Sequence, residues 1–230
     1  MASDEGGDGL HRPRLRFDHV QVAVADLEEA AARFTREHGL VALPGGRHPG
    51  RGTGNLIVPL GDSYLELIAV VDRHEAAAFP SSQRVARAVE SGRTFAVWAA
   101  RTTDLEATRR SLLERGLELP DPAPGSRRRP DGVQLAWRVQ ELVSGGQFSA
   151  LPFLIEWQVP AELFPGSASA RHPSGARGVV SLRLADPDPK TAEERLRLIL
   201  ADDLEYSIEE GLPGMVEMTL DTPSGPITLK

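Results

Sequence analysis

A strand, an Asp-capped helix, a Gly/Pro/Arg-rich loop and two further strands follow one another in this chain, and the same order then returns. Residues 15–24 read as a strand rich in β-branched side chains, with Val20, Val22 and Val24 on one face. Asp26 with Glu29 forms a capping-box pattern, Leu27, Ala30, Ala31 and Phe34 form an apolar stripe, and Gly39 stops the helix. A loop over 44–54 leads to strands over 55–60 and 63–71, joined by the tight turn Gly61-Asp62. After a helix over about 82–90, the pattern repeats: a strand over 94–102, a helix capped at Thr103 or Asp104 and ending at Gly116, a Pro/Arg-rich loop over 120–131, and strands over 133–139 and 152–159. A third copy begins near 177, with a strand over 178–185, an Asp188-Pro189 helix start and three short strands near 204–208, 215–220 and 226–229. The aspartates Asp26, Asp104 and Asp186 recur at intervals of roughly 80 residues. The repeat predicts an α+β chain of three βαβββ units. Residues 15–160 hold the first two, and 170–230 form a third module packed on them; 1–14 read as a disordered tail.

Composition narrows the function. With 0 cysteines there are no disulfides, thiolate nucleophiles or Cys-ligated metals. No apolar run is longer than residues 95–100, too short for a membrane helix, and the acidic, Gly-rich start lacks the apolar core of a secretory signal. The net charge of −7 argues against nucleic acid and anionic membranes as partners. A cytoplasmic protein acting on a small molecule is expected, and a homodimer is compatible with the odd number of modules.

The repeat also aligns polar residues. At matched distances before the helix-start aspartates stand His19, Val97 and Val179. In the last strands, Tyr64-Leu65-Glu66-Leu67 aligns with Leu154-Ile155-Glu156-Trp157. Alternation puts the carboxylates opposite the flanking apolar residues, so His19, Glu66 and Glu156 are expected to share the inner face. One imidazole and two carboxylates make an N/O donor set suited to a divalent ion with open positions.

The strand Phe17-Asp18-His19-Val20-Gln21-Val22-Ala23-Val24, the pairs Tyr64-Leu65-Glu66-Leu67 and Phe153-Leu154-Ile155-Glu156-Trp157, and the segments Arg47-His48-Pro49-Gly50, Gly52-Thr53-Gly54-Asn55 and Arg129-Pro130-Asp131-Gly132 together resemble the vicinal oxygen chelate superfamily. This superfamily spans glyoxalases, bleomycin-resistance proteins and extradiol dioxygenases, and the pattern is similar to its glyoxalase-like domain group. The resemblance covers about 15–159 and extends loosely to 177–229. It implies repeated βαβββ modules forming a curved mixed sheet around a cavity, with helices on the outer face. It also implies metal ligands on the first and last strands of each module. His19, Glu66 and Glu156 match three of those places; the fourth falls at Val97, or at Ala96 or Phe95, which cannot ligate.

Three readings follow. The first is a metal-assisted lyase, isomerase or epimerase acting on a small oxygenated metabolite, with Glu156 as both metal-side carboxylate and proton shuttle. The second is a metal-free protein that binds or sequesters a small molecule, against which an aromatic content of 5% counts. The third is a non-catalytic scaffold. In the first two, Gln21 shares the face of His19, His48 and Asn55 lie on a loop that can rim the site, and Arg101 shares strand parity with Val97 and could clamp a carboxylate or phosphate. The Arg127-Arg128-Arg129 run reads as a solvated loop, and His172 in Arg171-His172-Pro173 echoes the His48 segment by chance.

Overall fold

The computed structural model describes residues 15–200 and 204–230; the tail expected over 1–14 lies outside them. The first module runs β1 (Arg16–Ala23), α1 (Leu27–His38), β2 (Leu43–His48), β3 (Thr53–Pro59) and β4 (Tyr64–Val70). Two short helices, α2 (Arg73–Ala76) and α3 (Pro80–Glu90), lead to the second module. It comprises β5 (Phe95–Arg101), α4 (Leu105–Glu114), β6 (Ala123–Arg128), β7 (Gln134–Gln140) and β8 (Phe153–Trp157). The third unit is β9 (Gly178–Asp186), α5 (Pro189–Ile199), β10 (Glu205–Glu210), β11 (Gly214–Asp221) and β12 (Ile227–Leu229).

The expected capping chemistry starts the helix that follows the first strand of each module. Asp26 accepts from the Glu29 amide at 2.8 Å, Asp104 from Ala107 at 2.9 Å, and Asp188 from Thr191 at 3.2 Å. In the third unit the cap is therefore Asp188 rather than Asp186, which instead accepts from the Asp188 amide. Gly39 closes α1 in the left-handed conformation, φ 61°.

The first eight strands close into a barrel in the order β1-β4-β3-β2-β6-β7-β8-β5. Each module has the same internal order: its first strand lies beside its fourth, then third, then second. The two halves meet through antiparallel pairs at both seams, β1 with β5 and β2 with β6. Strands β2 and β6 occupy the segments expected to be Gly/Pro/Arg-rich loops. Gly45 is needed there for room, because a Cβ would lie 2.1 Å from Asn55 Oδ1; at Gly125 a Cβ would lie 2.2 Å from the Trp137 indole nitrogen.

The third unit has the same element order but another topology. Its sheet runs β10-β9-β11-β12, so the first strand sits inside the sheet between the second and third. It packs on the outer face of the barrel, with Leu182, Leu184, Leu196, Ile199, Met218 and Leu220 in one apolar cluster with Val20, Val22, Leu65 and Leu67 of β1 and β4. The connection from β8 to β9 is braced by His172, whose Nδ1 accepts from the Val41 amide at 3.0 Å and whose Nε2 lies 2.6 Å from the Pro59 carbonyl oxygen. That histidine is a structural clasp unrelated to His48. Among the described residues no helix is long and apolar enough to cross a membrane.

Candidate active site

The barrel encloses a cavity of about 600 Å³. Every described residue lining it precedes β9, so the third unit supports the barrel without entering the site.

Side chains of β1, β3 and β4 build a polar wall around Glu66, which is 4% exposed. Its two carboxylate oxygens each accept from a side-chain amide: Oε2 from Gln21 at 2.9 Å and Oε1 from Asn55 at 2.5 Å. His19 Nε2 is 3.5 Å from Oε2, and His48 Nε2 is 3.7 Å from Oε1. His48 is held by Thr53, its Nδ1 2.9 Å from Oγ1. Tyr64 stacks on the His19 ring with centroids 4.5 Å apart. The register explains this convergence: β1 and β4 are parallel, with His19 beside Tyr64 and Gln21 beside Glu66, so two inward positions on each strand adjoin.

Asp18 completes the group although it neighbours His19 in sequence. A register shift between Phe17 and His19 in the β1–β5 pairing breaks the alternation that would separate consecutive side chains. The fully buried Asp18 carboxylate therefore reaches His19 Nδ1 at 2.6 Å, and its other oxygen accepts from the Trp157 indole at 3.1 Å. An Asp18–His19–Glu66 chain results, with the imidazole between two carboxylates.

Its electrostatics follow from that order. Burial pulls the His19 pKa down, but the hydrogen bonds and charges of Asp18 and Glu66 outweigh it and raise it from 6.5 to about 9. Burial pushes Glu66 up, but His19, His48 and Asn55 outweigh it and lower it from 4.5 to about 2. At neutral pH the pair is imidazolium and carboxylate. His48, buried beside it, is pulled below its ordinary value by burial, against the opposing charge of Glu66.

These shifts fix a stability profile. The raised pKa of His19 contributes fully below pH 6.5 and is lost as pH rises through about 9. The depressed pKa of Glu66 contributes fully above pH 4.5 and is lost as pH falls through about 2. The melting temperature should therefore be highest between about pH 4.5 and 6.5 and decline toward pH 9, by a free energy on the order of 3 kcal/mol, counted once for the coupled pair. Calorimetry across pH 4–10 checks this. A flat profile from 6.5 to 9 would refute the ion pair.

Of the residues expected in the site, His19, Gln21, His48, Asn55 and Glu66 come together. Glu156 does not. Inward alternation along β8 falls on Phe153, Ile155 and Trp157, and Glu156 faces outward. There its Oε1 accepts from the Leu105 amide at 3.1 Å at the start of α4, and Arg138 lies 3.9 Å away. The expected equivalence of Glu66 and Glu156 is out of step by one residue. Ala99 pairs with Phe153 as His19 pairs with Tyr64, which makes Ile155 the counterpart of Glu66 and Ala99, not Val97, the counterpart of His19. Glu156→Ala should thus cost on the order of 1 kcal/mol through the helix start and leave ligand binding within twofold. Urea denaturation and a binding titration read the two effects separately, and lost binding in a folded variant would return Glu156 to the site.

Arg101 also stops short of the cavity. Its guanidinium lies over the Phe164 ring at 4.3 Å, donates to the Asp62 carbonyl at 3.4 Å and stands 3.7 Å from Asp18, behind His19. Arg127 reverses the solvated-loop expectation: it is 3% exposed, sits on β6 and lines the cavity. The second module also supplies an apolar patch of Trp137, Val139, Phe153, Ile155 and Trp157, beside polar lining residues that include Ser126, Glu141 and Gln158. The two tryptophan rings lie 5.3 Å apart, and Phe153 meets His19 edge-on at 5.5 Å.

A divalent ion does not fit this donor set. Among the described residues no group of three or more His, Cys, Asp or Glu could hold one. The second module offers Ala99 and Ile155 where ligands would stand.

The profile of a family described as a glyoxalase-like domain matches residues 17–200. A hypothetical protein from Staphylococcus aureus has a similar structure, with a TM-score of 0.71 and 17% identity over 87% of this chain and 88% of that one. Methylmalonyl-CoA epimerase from Mycobacterium tuberculosis aligns at a TM-score of 0.46 and 20% identity, covering 68% of this chain and 96% of its own. The Streptomyces coelicolor epimerase in complex with 2-nitronate-propionyl-CoA aligns at 0.45 and 18%, covering 65% and 100%. No curated protein matches this chain significantly.

Proposed function

We propose that this chain, which belongs to the glyoxalase-like domain family, is an isomerase, epimerase or lyase that moves a proton on a small oxygenated metabolite through the His19–Glu66 pair. The carrying observation is the buried ion pair itself, His19 Nε2 3.5 Å from Glu66 Oε2, facing a cavity of substrate size. Glu66 takes the proton from a carbon next to a carbonyl while His19 Nε2–H donates to the carbonyl oxygen. Glu66 ends protonated, His19 neutral and the substrate an enol, so charge and protons balance. The coupling assists the exchange. The imidazolium is among the groups that hold Glu66 at about 2, so as His19 gives up its proton, burial of the carboxyl raises its basicity. Asp18 keeps the ring oriented with Nε2 toward the cavity.

The proton-handling groups His19 and Glu66 come from strands of the first module, and Phe153, Ile155 and Val139 line the cavity from the second. A proton returned by the same acid to the neighbouring carbon suits isomerisation better than inversion, which needs a donor on the opposite side. A panel of α-hydroxy aldehydes and ketones incubated with the protein in D₂O tests this reading: deuterium should enter the carbon beside the carbonyl, seen by NMR. No incorporation across the panel would favour the second reading, a non-catalytic small-molecule binder. The paired Trp137 and Trp157 support that alternative, because the few aromatic residues are concentrated where a flat ligand would lie.

A further inference from the structure

We propose that Arg127 is the anion-recognition residue of the cavity and that the ligand is a small organic oxyanion, a carboxylate or phosphate, carried on an apolar body. The inference rests on the proposed site only in placing the ligand in this cavity; it does not depend on the reaction. A buried guanidinium normally has a carboxylate partner, since desolvating an unpaired charge is costly. Arg84 lines the same cavity and obeys the rule: its two terminal nitrogens reach the two Glu141 oxygens at 3.2 and 3.3 Å. Arg127 does not. Among the described residues it hydrogen-bonds one neutral carbonyl, Gly45 O, 2.6 Å from Nη1, and it makes no ion-pair contact; the Glu66 carboxylate acts on it only by charge, at longer range.

A guanidinium carries five N–H donors in a planar fork. None of the remaining Arg127 nitrogens is among the described, fully enclosed atoms that lack a partner, and the residue lines the cavity. An oxyanion there would complete the fork with two parallel charge-assisted bonds. Arg51 adds to the field. It lines the same cavity with its guanidinium over the Phe79 ring at 4.7 Å and one nitrogen on the Pro124 carbonyl at 3.1 Å; Glu141 acts on it by charge without an ion-pair contact. The rest of the ligand is defined by the wall on the neighbouring strands, where Trp137, Phe153 and Trp157 offer apolar ring surface. An oxyanion at Arg127 with an apolar or aromatic body on the tryptophans leaves the polar wall of His19 and Glu66 free for a reacting oxygen.

The rival role for Arg127 is a brace. Its bond to Gly45 crosses the seam between modules, where β2 and β6 share the one residue pair Arg47 and Arg128. A brace would affect stability alone and could not distinguish an acid from its amide. Phenylacetate, phenyl phosphate and phenylacetamide are therefore titrated against the intact chain, following quenching of tryptophan fluorescence. One of the two anions should bind at least about tenfold tighter than the amide, and the tighter one identifies the oxyanion class. Arg127→Met should remove that preference while leaving amide binding within twofold; Arg127→Lys should keep part of it. Equal binding of acids and amide, binding of none of the three, or an unchanged preference in Arg127→Met overturns the proposal. If Arg127→Met does not fold, the wild-type ratio and Arg127→Lys decide. Absence of deuterium incorporation with this preference intact would refute the isomerase reading and leave the anion site standing.

Discussion

Glu66→Gln is expected to reduce deuterium incorporation by about 10³-fold while the protein stays folded. The substitution preserves volume but removes the base. It also leaves one amide donor, from Gln21 or Asn55, facing an amide nitrogen where it now meets a carboxylate oxygen at 2.9 or 2.5 Å. Loss of that hydrogen bond costs about 1 kcal/mol, too little to unfold the chain. Without the carboxylate 3.5 Å away, His19 keeps only Asp18 to oppose burial, so its pKa should fall from about 9. The alkaline decline in stability should then be smaller than in the wild type and be complete at a lower pH. Glu66→Asp keeps the charge but withdraws it from His19 and should retain intermediate turnover. A Glu66→Gln protein that keeps more than a tenth of the activity, beside a dead His19→Ala protein, would transfer the base role to the imidazole.

The fold was legible because its punctuation is local. Asp26, Asp104 and the Asp188-Pro189 pair mark helix starts wherever they occur, and the return of one element order identifies the modules without any long-range contact. Strands β2 and β6 were hidden for a physical reason. Glycines and prolines carry low strand propensity, yet Gly45 and Gly125 are there because neighbouring side chains leave no room for a Cβ. What reads as loop chemistry is close approach at the seam of a barrel.

The site was half legible. His19, Gln21 and Glu66 lie on two parallel strands with regular alternation, so parity alone places them together. Parity failed where register mattered. An offset of one residue between the modules turned Glu156 outward, and only strand pairing shows it. Asp18 was invisible because a break in alternation lets two consecutive residues meet. Arg127 was misjudged for its company. Three successive arginines look solvated, but a strand turns the first one inward relative to its exposed neighbour Arg128. The aromatic wall was lost in an average: 5% aromatic residues over the chain says nothing about Trp137, Phe153 and Trp157 sharing one cavity.

Trp98→Ala is expected to be the most destabilising single change in the barrel, by about 3–5 kcal/mol. Trp98 is fully buried on β5, beside Val20 of β1, at the seam where the modules meet. Its ring stacks with Phe17 at 6.1 Å, and its indole N–H donates to the Ala150 carbonyl at 2.9 Å, tying down the segment that leads into β8. Truncation removes the largest fully buried side chain, opens a cavity in the cluster shared by barrel and third unit, and leaves a buried carbonyl without its donor. Against a total stability on the order of 5–15 kcal/mol, this should lower the melting temperature by about 10 °C. Trp98→Phe separates the contributions: it keeps an aromatic ring and loses the hydrogen bond, and should cost about 1–2 kcal/mol. Because Trp98 faces away from the cavity, ligand binding by the folded fraction of either variant should match the wild type. A melting shift under 3 °C in Trp98→Ala would mean that the seam between modules is held elsewhere, through β2 and β6 rather than β1 and β5.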